Sequence, residues 1–302
     1  MKLWAIGALV VNAFVWGVSW WPLRQLQSAG LHPLWSTVII YCFALAVVLA
    51  FKPKAWQGLL QHPQLWLLFL ASGLTNVGFN WAVSISDVVR VLILFYLMPA
   101  WAVLLAWFLL GERPSRSALW RLLLAFTGVM VVLLPATVFT TTPALTSSAL
   151  TSSASSALHF SFADGLALMG GFCFALTNVL LKKLNNTPSE SRMLAMFGGG
   201  AVLAMLAGTA GMTQGWVDAL PAISSSWVWL ACGLSLAFLI SNAALQYGAS
   251  RLRSSTTSVV MLSEVAFGSL SAIALGAAVV DTRTLVGGLL IILAAALAAF
   301  DN

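Results

Sequence analysis

Charge is what this sequence lacks most. Lys, Arg, Asp and Glu together supply 7% of its 302 residues, against roughly 25% in an ordinary soluble domain. So few charges cannot cover a surface that faces water, which excludes a soluble enzyme, a nucleic-acid-binding domain and a disordered chain. Cysteine is scarce too: Cys42, Cys173 and Cys232 each sit in an apolar run and no CxxC occurs. That excludes a disulfide scaffold and a thiolate metal site. The three histidines, His32, His62 and His159, fall between apolar runs, and neither HExxH nor GxSG is present. No catalytic constellation is left for a membrane-embedded enzyme. With no GxxxxGK[ST] there is no phosphate loop either, so ATP does not drive the chain directly. The net charge of +6 comes from basic residues scattered in ones and twos, not from a stripe that would bind nucleic acid. No cofactor or metal is expected.

What the sequence has in excess is apolar length. Hydrophobic residues make up 61% of it. A bilayer core of about 30 Å needs about 20 apolar residues per helix. Such runs lie near 3–23, 33–51, 63–85, 88–110, 117–135, 163–184, 190–211, 226–248, 255–277 and 284–300. The first run continues past Trp21 without a cleavage signal and reads as a retained span. Breaks between runs carry turn chemistry, as in Lys52-Pro53-Lys54 and Asn185-Asn186-Thr187-Pro188. An outer-membrane barrel would show short alternating segments instead. Eleven of the 14 Lys and Arg residues fall in the compartment that holds the N-terminus and the breaks after runs 2, 4, 6 and 8. Positive charge marks the cytoplasmic side, so both termini are expected in the cytoplasm.

The longest polar break, 137–161, is about half Ser and Thr, the composition of a flexible linker. It divides the chain into 1–136 and 162–302, with five runs on each side. Two homologous halves with an odd number of spans must lie upside down relative to each other. Trp81–Leu134 aligns without gaps on Gln246–Ala299 at a constant offset of 165. The fold expected is therefore an all-α integral membrane protein of ten transmembrane helices, built as two inverted-topology five-helix repeats. Inverted repeats are typical of secondary transporters, with a site near the midplane. Channels would need a charged ring or a carbonyl filter, and none is recognisable.

Trp16-Gly17 with Ser19, Pro99 running to Leu110-Gly111-Glu112, and Glu264 at the matching place in the second half carry a resemblance. The chain resembles the drug/metabolite transporter superfamily in its ten-span EamA-type form. Its start, Val15–Gln27 followed by Leu31–Trp35, is similar to the YddG-type aromatic amino-acid exporters. The second half departs from the pattern, with Leu275-Gly276-Ala277 where relatives repeat Gly-Glu. The resemblance implies export of amino acids, aromatic and other apolar ones, across a bacterial inner membrane by alternating access. The expected partners are that small-molecule substrate and the lipid bilayer, with no nucleic acid and a monomeric chain. Toxic organic cations are the alternative cargo. Phosphorylated sugars fit less well, because Arg24 and Lys182 sit near span ends.

Polar groups facing lipid cost free energy, so polar stripes within runs mark inward faces. Asn76 and Asn80 form one stripe, and Asn242 and Gln246 form another on the equivalent run. Asn12, Trp16 and Ser19 share a face, and Thr177 and Asn178 occupy the matching stretch of run 6. Trp16 and Trp101 lie deep, with Met98 one turn from Trp101, and suit a cavity for large apolar side chains. The candidate cavity is therefore Trp16, Asn76, Asn80, Met98, Trp101, Asn178, Asn242, Gln246 and Glu264, with Pro99 as hinge. For Glu264 two readings stay open. One is a proton or amine partner; the other, favoured here, is a carboxylate hydrogen-bonded within the bundle. Trp56, Trp66, Trp120, Trp216, Trp227 and Trp229 read as interface belts.

Overall fold

Apolar runs without water must satisfy their backbone internally, and helices do so. The computed structural model describes residues 2–86, 88–133, 160–221, 225–276 and 282–300. Among them are fourteen helices and no strand. The first half holds α1 (Lys2–Val18), α2 (Trp20–Ser28), α3 (Pro33–Phe51), α4 (Ala55–Gln61), α5 (Leu65–Ile85), α6 (Val88–Phe95), α7 (Met98–Leu110) and α8 (Arg116–Leu133). The second holds α9 (Phe162–Lys183), α10 (Ser189–Thr213), α11 (Ser225–Ala249), α12 (Ser254–Met261), α13 (Ser263–Ala274) and α14 (Thr282–Phe300). Most of the Ser/Thr-rich stretch lies outside the described residues. Seven segments are long and apolar enough to cross a membrane, and 98–110 and 285–294 are shorter apolar helices. The large side chains Phe51, Phe108, Trp120 and Trp229 face outward from the bundle, as a lipid-facing surface requires.

Three of the expected spans are not single helices. Run 1 breaks at Ser19, run 4 at Tyr96-Leu97 and run 9 at Leu262. Pro99 explains the second break, because it has no N–H to offer the Phe95 carbonyl. Gly171 of α9 sits beside that carbonyl, where an added Cβ would lie 2.5 Å from the oxygen. The third break has no proline. There the Leu262 N–H is shared between the Ser258 and Val259 carbonyls, the tightening that ends an α-helix. Both breaks fall at the same place in the two halves: α7 starts at Met98 and α13 at Ser263. Gly111 and Gly276, with φ of +70° and +69°, then close the two helices at the same spacing.

Packing pairs the halves rather than stacking one beside the other. α1 lies on α11 and α13, as α9 lies on α5 and α7; α3 meets α10 and α8 meets α14. Exchanging the halves leaves this set of partners unchanged. α8 and α14 stay at the outside of the bundle, and the remaining spans surround its centre. Trp227, expected in an interface belt, is instead buried and belongs to one of the apolar core clusters.

His32 caps α3: its Nδ1 accepts from the Leu34 N–H at 3.2 Å. Burial holds its pKa below the usual 6.5, opposed by the charge of Asp218. A depressed histidine stabilises the fold above its unfolded pKa and loses that contribution as pH falls. Thermal stability in detergent is therefore expected to drop as pH is lowered below 6.5, through His32. His32→Asn, which keeps a capping acceptor, is expected to flatten that part of the pH profile. An unchanged profile in the variant would assign the effect elsewhere.

Candidate functional site

The site begins with α1. Its buried residues Ala5, Leu9, Asn12, Ala13 and Gly17 form one helical stripe. Gly17 lets α1 meet α13: a Cβ there would lie 2.7 Å from both the Glu264 carbonyl and the Phe267 Cβ. One residue earlier, Trp16 turns inward and stacks on Phe238 of α11, 4.4 Å between centroids at 18°. The Trp-Gly pair thus has two separate tasks, a close helix crossing and an aromatic wall.

That wall belongs to a cavity with about 860 Å³ of atom-free space, lined from α1, α3, α5, α9, α10, α11, α13 and the α6–α7 break. Aromatic rings dominate it. Tyr41 lies edge-on to Phe197 at 5.1 Å, and Phe95 contacts Phe79 at 4.9 Å and Phe174 at 5.8 Å. Such rings offer large contact area to a flat or apolar ligand.

Amides and hydroxyls punctuate the rings. Tyr41 donates to Asn76 Oδ1 at 2.8 Å, and Asn76 Nδ2 donates to the Ser72 carbonyl at 2.8 Å. Asn80 Nδ2 donates to Thr37 Oγ1 at 2.5 Å. Asn12 Nδ2 reaches across the halves to Ser241, 2.9 Å from its carbonyl and 2.6 Å from its Oγ. Asn12 Oδ1 and Thr177 Oγ1 line the same cavity and are buried with no partner among the described residues. Buried polar atoms without a bond are rare in folded proteins, and both of these belong to lining residues. Glu264 is the cavity's one carboxylate, and Tyr96 donates a hydrogen bond to it. A ligand would thus meet aromatic faces, several amides and one acid.

Of the expected residues, Trp16, Asn76, Asn80, Asn242 and Glu264 line this cavity; Met98, Trp101, Asn178 and Gln246 do not. Met98 is buried in the apolar core. Trp101 turns toward α9, edge-on to Phe172 at 5.7 Å. Asn178 is buried one residue past the lining Thr177. Gln246 stands behind Asn242 and donates to its Oδ1 at 2.7 Å. Pro99 is buried in the first turn of α7. The expectations missed Tyr41 and Tyr96. The chain has only 3 tyrosines, and a phenol in mid-span needs a partner as an amide does, so their rarity was a usable signal. Phe79, Phe95, Phe174, Phe197 and Phe238 carried none, because a lipid-facing phenylalanine reads the same.

Residues 3–134 match the EamA-like transporter family. The match covers less than half of the chain, and it takes in the Trp-Gly pair, Asn76, Asn80, Pro99 and Glu112. That stretch is similar to a family described as transporters. Together with the seven long apolar segments, it makes the chain a multi-pass membrane protein. No curated protein matches the sequence. A solved crystal structure, described only as that of a protein, is similar over 97% of this chain and 96% of its own, with a TM-score of 0.74 and 16% identity. At that identity the likeness concerns fold alone.

Proposed function

We propose that the whole chain is a secondary transporter that exports amino acids, aromatic and other apolar ones, and that the central cavity is its substrate site. The observation that carries this is the lining itself, drawn from both halves: stacked and edge-on rings around amides and a single carboxylate. Rings suit the side chain, and the amides with Glu264 suit an ammonium and a carboxylate. Inverted five-span repeats, ten spans in all, are part of the proposal. The common offset of the breaks in runs 4 and 9 and the exchangeable partners of the two halves support it. Alternating access then moves the halves about the cavity, with the break at Pro99 as a hinge. The charge asymmetry supports cytoplasmic termini in a bacterial inner membrane.

Proteoliposome counterflow across the amino acids, with and without a pH gradient, tests this reading. Tryptophan and phenylalanine are expected to exchange, and Trp16→Ala to cut that exchange about tenfold, the order lost with one buried aromatic contact. Exchange that ignores Trp16, or is absent for every amino acid, would sink it. A cysteine at Thr187 in a background without Cys42, Cys173 and Cys232 reports the orientation. It is expected to react with an impermeant reagent only after permeabilisation. The second cargo, an organic cation, is favoured by one observation: Glu264 stands beside Tyr96 in an aromatic-lined space. In the same assay, a quaternary amine that competes better than any amino acid would select it.

A further inference from the structure

Arg192 lies in the first turn of α10 and is buried. That is an unusual place for a cation, because the N-terminal end of a helix carries positive partial charge. It makes no ion pair among the described residues. Its guanidinium instead donates Nη1 to the Leu184 carbonyl at 2.8 Å and Nε to Gln246 Oε1 at 3.0 Å. Gln246 Nε2 donates to Asn242 Oδ1 at 2.7 Å, and Asn242 Nδ2 approaches the Met196 sulfur at 3.3 Å. Asn242 and Met196 line the cavity.

The chain of bonds has a direction, and only one of its members sets it. An amide can present either its oxygen or its NH2, so two linked amides alone have two equivalent arrangements. Arg has donors only. Gln246 must therefore turn its oxygen to Arg192 and its NH2 to Asn242. Asn242 must then give its oxygen to Gln246. What remains for the cavity is the Asn242 NH2, whose other contact, a thioether sulfur, is a weak acceptor. We infer that Arg192 is a positioning residue that makes Asn242 an obligatory hydrogen-bond donor to the cavity, and so selects cargo that carries an acceptor, such as a carboxylate, at that end. The inference rests on the cavity being the substrate site. It accounts for a buried cation whose hydrogen bonds go to neutral oxygens and for the location of Gln246 behind the lining.

Gln246→Glu reverses the polarity while leaving the geometry in place. The glutamate still accepts from Arg192 and stays ionised beside it, but it has nothing to donate. Asn242 must then turn its NH2 away from the cavity and show its oxygen. The readout is the ratio of apparent affinities of tryptophan and its decarboxylated amine, tryptamine, as competitors in tryptophan counterflow. The wild type is expected to prefer the acid. Gln246→Glu is expected to move the ratio toward the amine by about tenfold or more, the size of one hydrogen bond to a charged group. Arg192→Lys keeps a donor-only group and is expected to retain the ratio; Arg192→Gln does not, and is expected to erode it. Should Gln246→Glu fail to reach the membrane, Asn242→Asp sets an acceptor-only group at the same point and must give the same shift. A ratio unchanged within about twofold in an active protein overturns the inference and leaves the transporter reading standing. A wild type without tryptophan counterflow overturns both.

Discussion

Gly199→Val is expected to remove most of the folded protein from the membrane. α5 and α10 cross where Gly73 and Gly199 face each other, and an added Cβ on Gly199 would overlap the Phe69 carbonyl. The obstruction is backbone, so no rotamer change relieves it, and the helices have to part. Separation would strip contacts from Ser72, whose Oγ donates to the Met196 carbonyl at 3.2 Å across this crossing. Overpacking in a core costs about 1–3 kcal/mol where side chains can shift; against rigid backbone the upper end or more is expected. At about 2–4 °C per kcal/mol, melting in detergent should fall by roughly 10 °C. Gly233→Val is the control, because a Cβ at Gly233 meets nothing within 4 Å. Equal melting temperatures for the two variants would show that the crossing tolerates side chains and that the close approach is incidental.

Glu112→Ala is expected to loosen the end of the bundle where most of the basic residues lie. Gly111, with φ of +70°, ends α7 and aims Glu112 at the second half. Its carboxylate pairs with Lys182 at the end of α9 and accepts from the Ser254 N–H, the start of α12, at 3.1 Å. Beside it Arg253 donates to the Arg113 carbonyl at 3.2 Å. One side chain thus joins three spans across both halves. The pair keeps about a fifth of its surface exposed, 23% and 19%, so solvent weakens it below a fully buried bridge. A loss of about 2 kcal/mol is reasonable once the orphaned Lys182 and the uncapped α12 are included. In a background without the native cysteines, a thiol placed at the lining residue Thr177 is expected to react faster with an impermeant reagent from that end. Lys182→Ala should do less, since Ser254 keeps its acceptor. Labelling unchanged in Glu112→Ala would show that this end is held shut by something else.

The polar lining was partly legible from sequence for a plain reason. Asn76, Asn80 and Asn242 are expensive in lipid, so their faces had to turn inward. Met98 and Trp101 fall outside the lining although the sequence places a hinge at Pro99, because a hinge position does not say by how much the helical phase changes. The turn at Tyr96-Leu97 resets the helical phase, and Tyr96 takes the cavity position while Trp101 turns to Phe172. Hydropathy does not register such a break, since Tyr96, Leu97 and Leu262 are as apolar in aggregate as their neighbours. Glu112 was legible as part of a motif but not as a junction, because Lys182 and Ser254 lie 70 and 142 residues away.

The sequence by itself determined the medium and the inventory. So few charges demand a bilayer, apolar runs in a bilayer demand helices, and the 165-residue offset ties Gly111 to Gly276 before any coordinates exist. Tertiary structure decided which residues meet. It turned Trp16 onto Phe238, pressed Gly199 against a carbonyl, and set Arg192 behind Gln246 so that a donor-only cation orients an amide two side chains away. Composition and periodicity act through average free energies of transfer. The direction of a hydrogen bond depends on which partner stands where, and only the packed helices supply that.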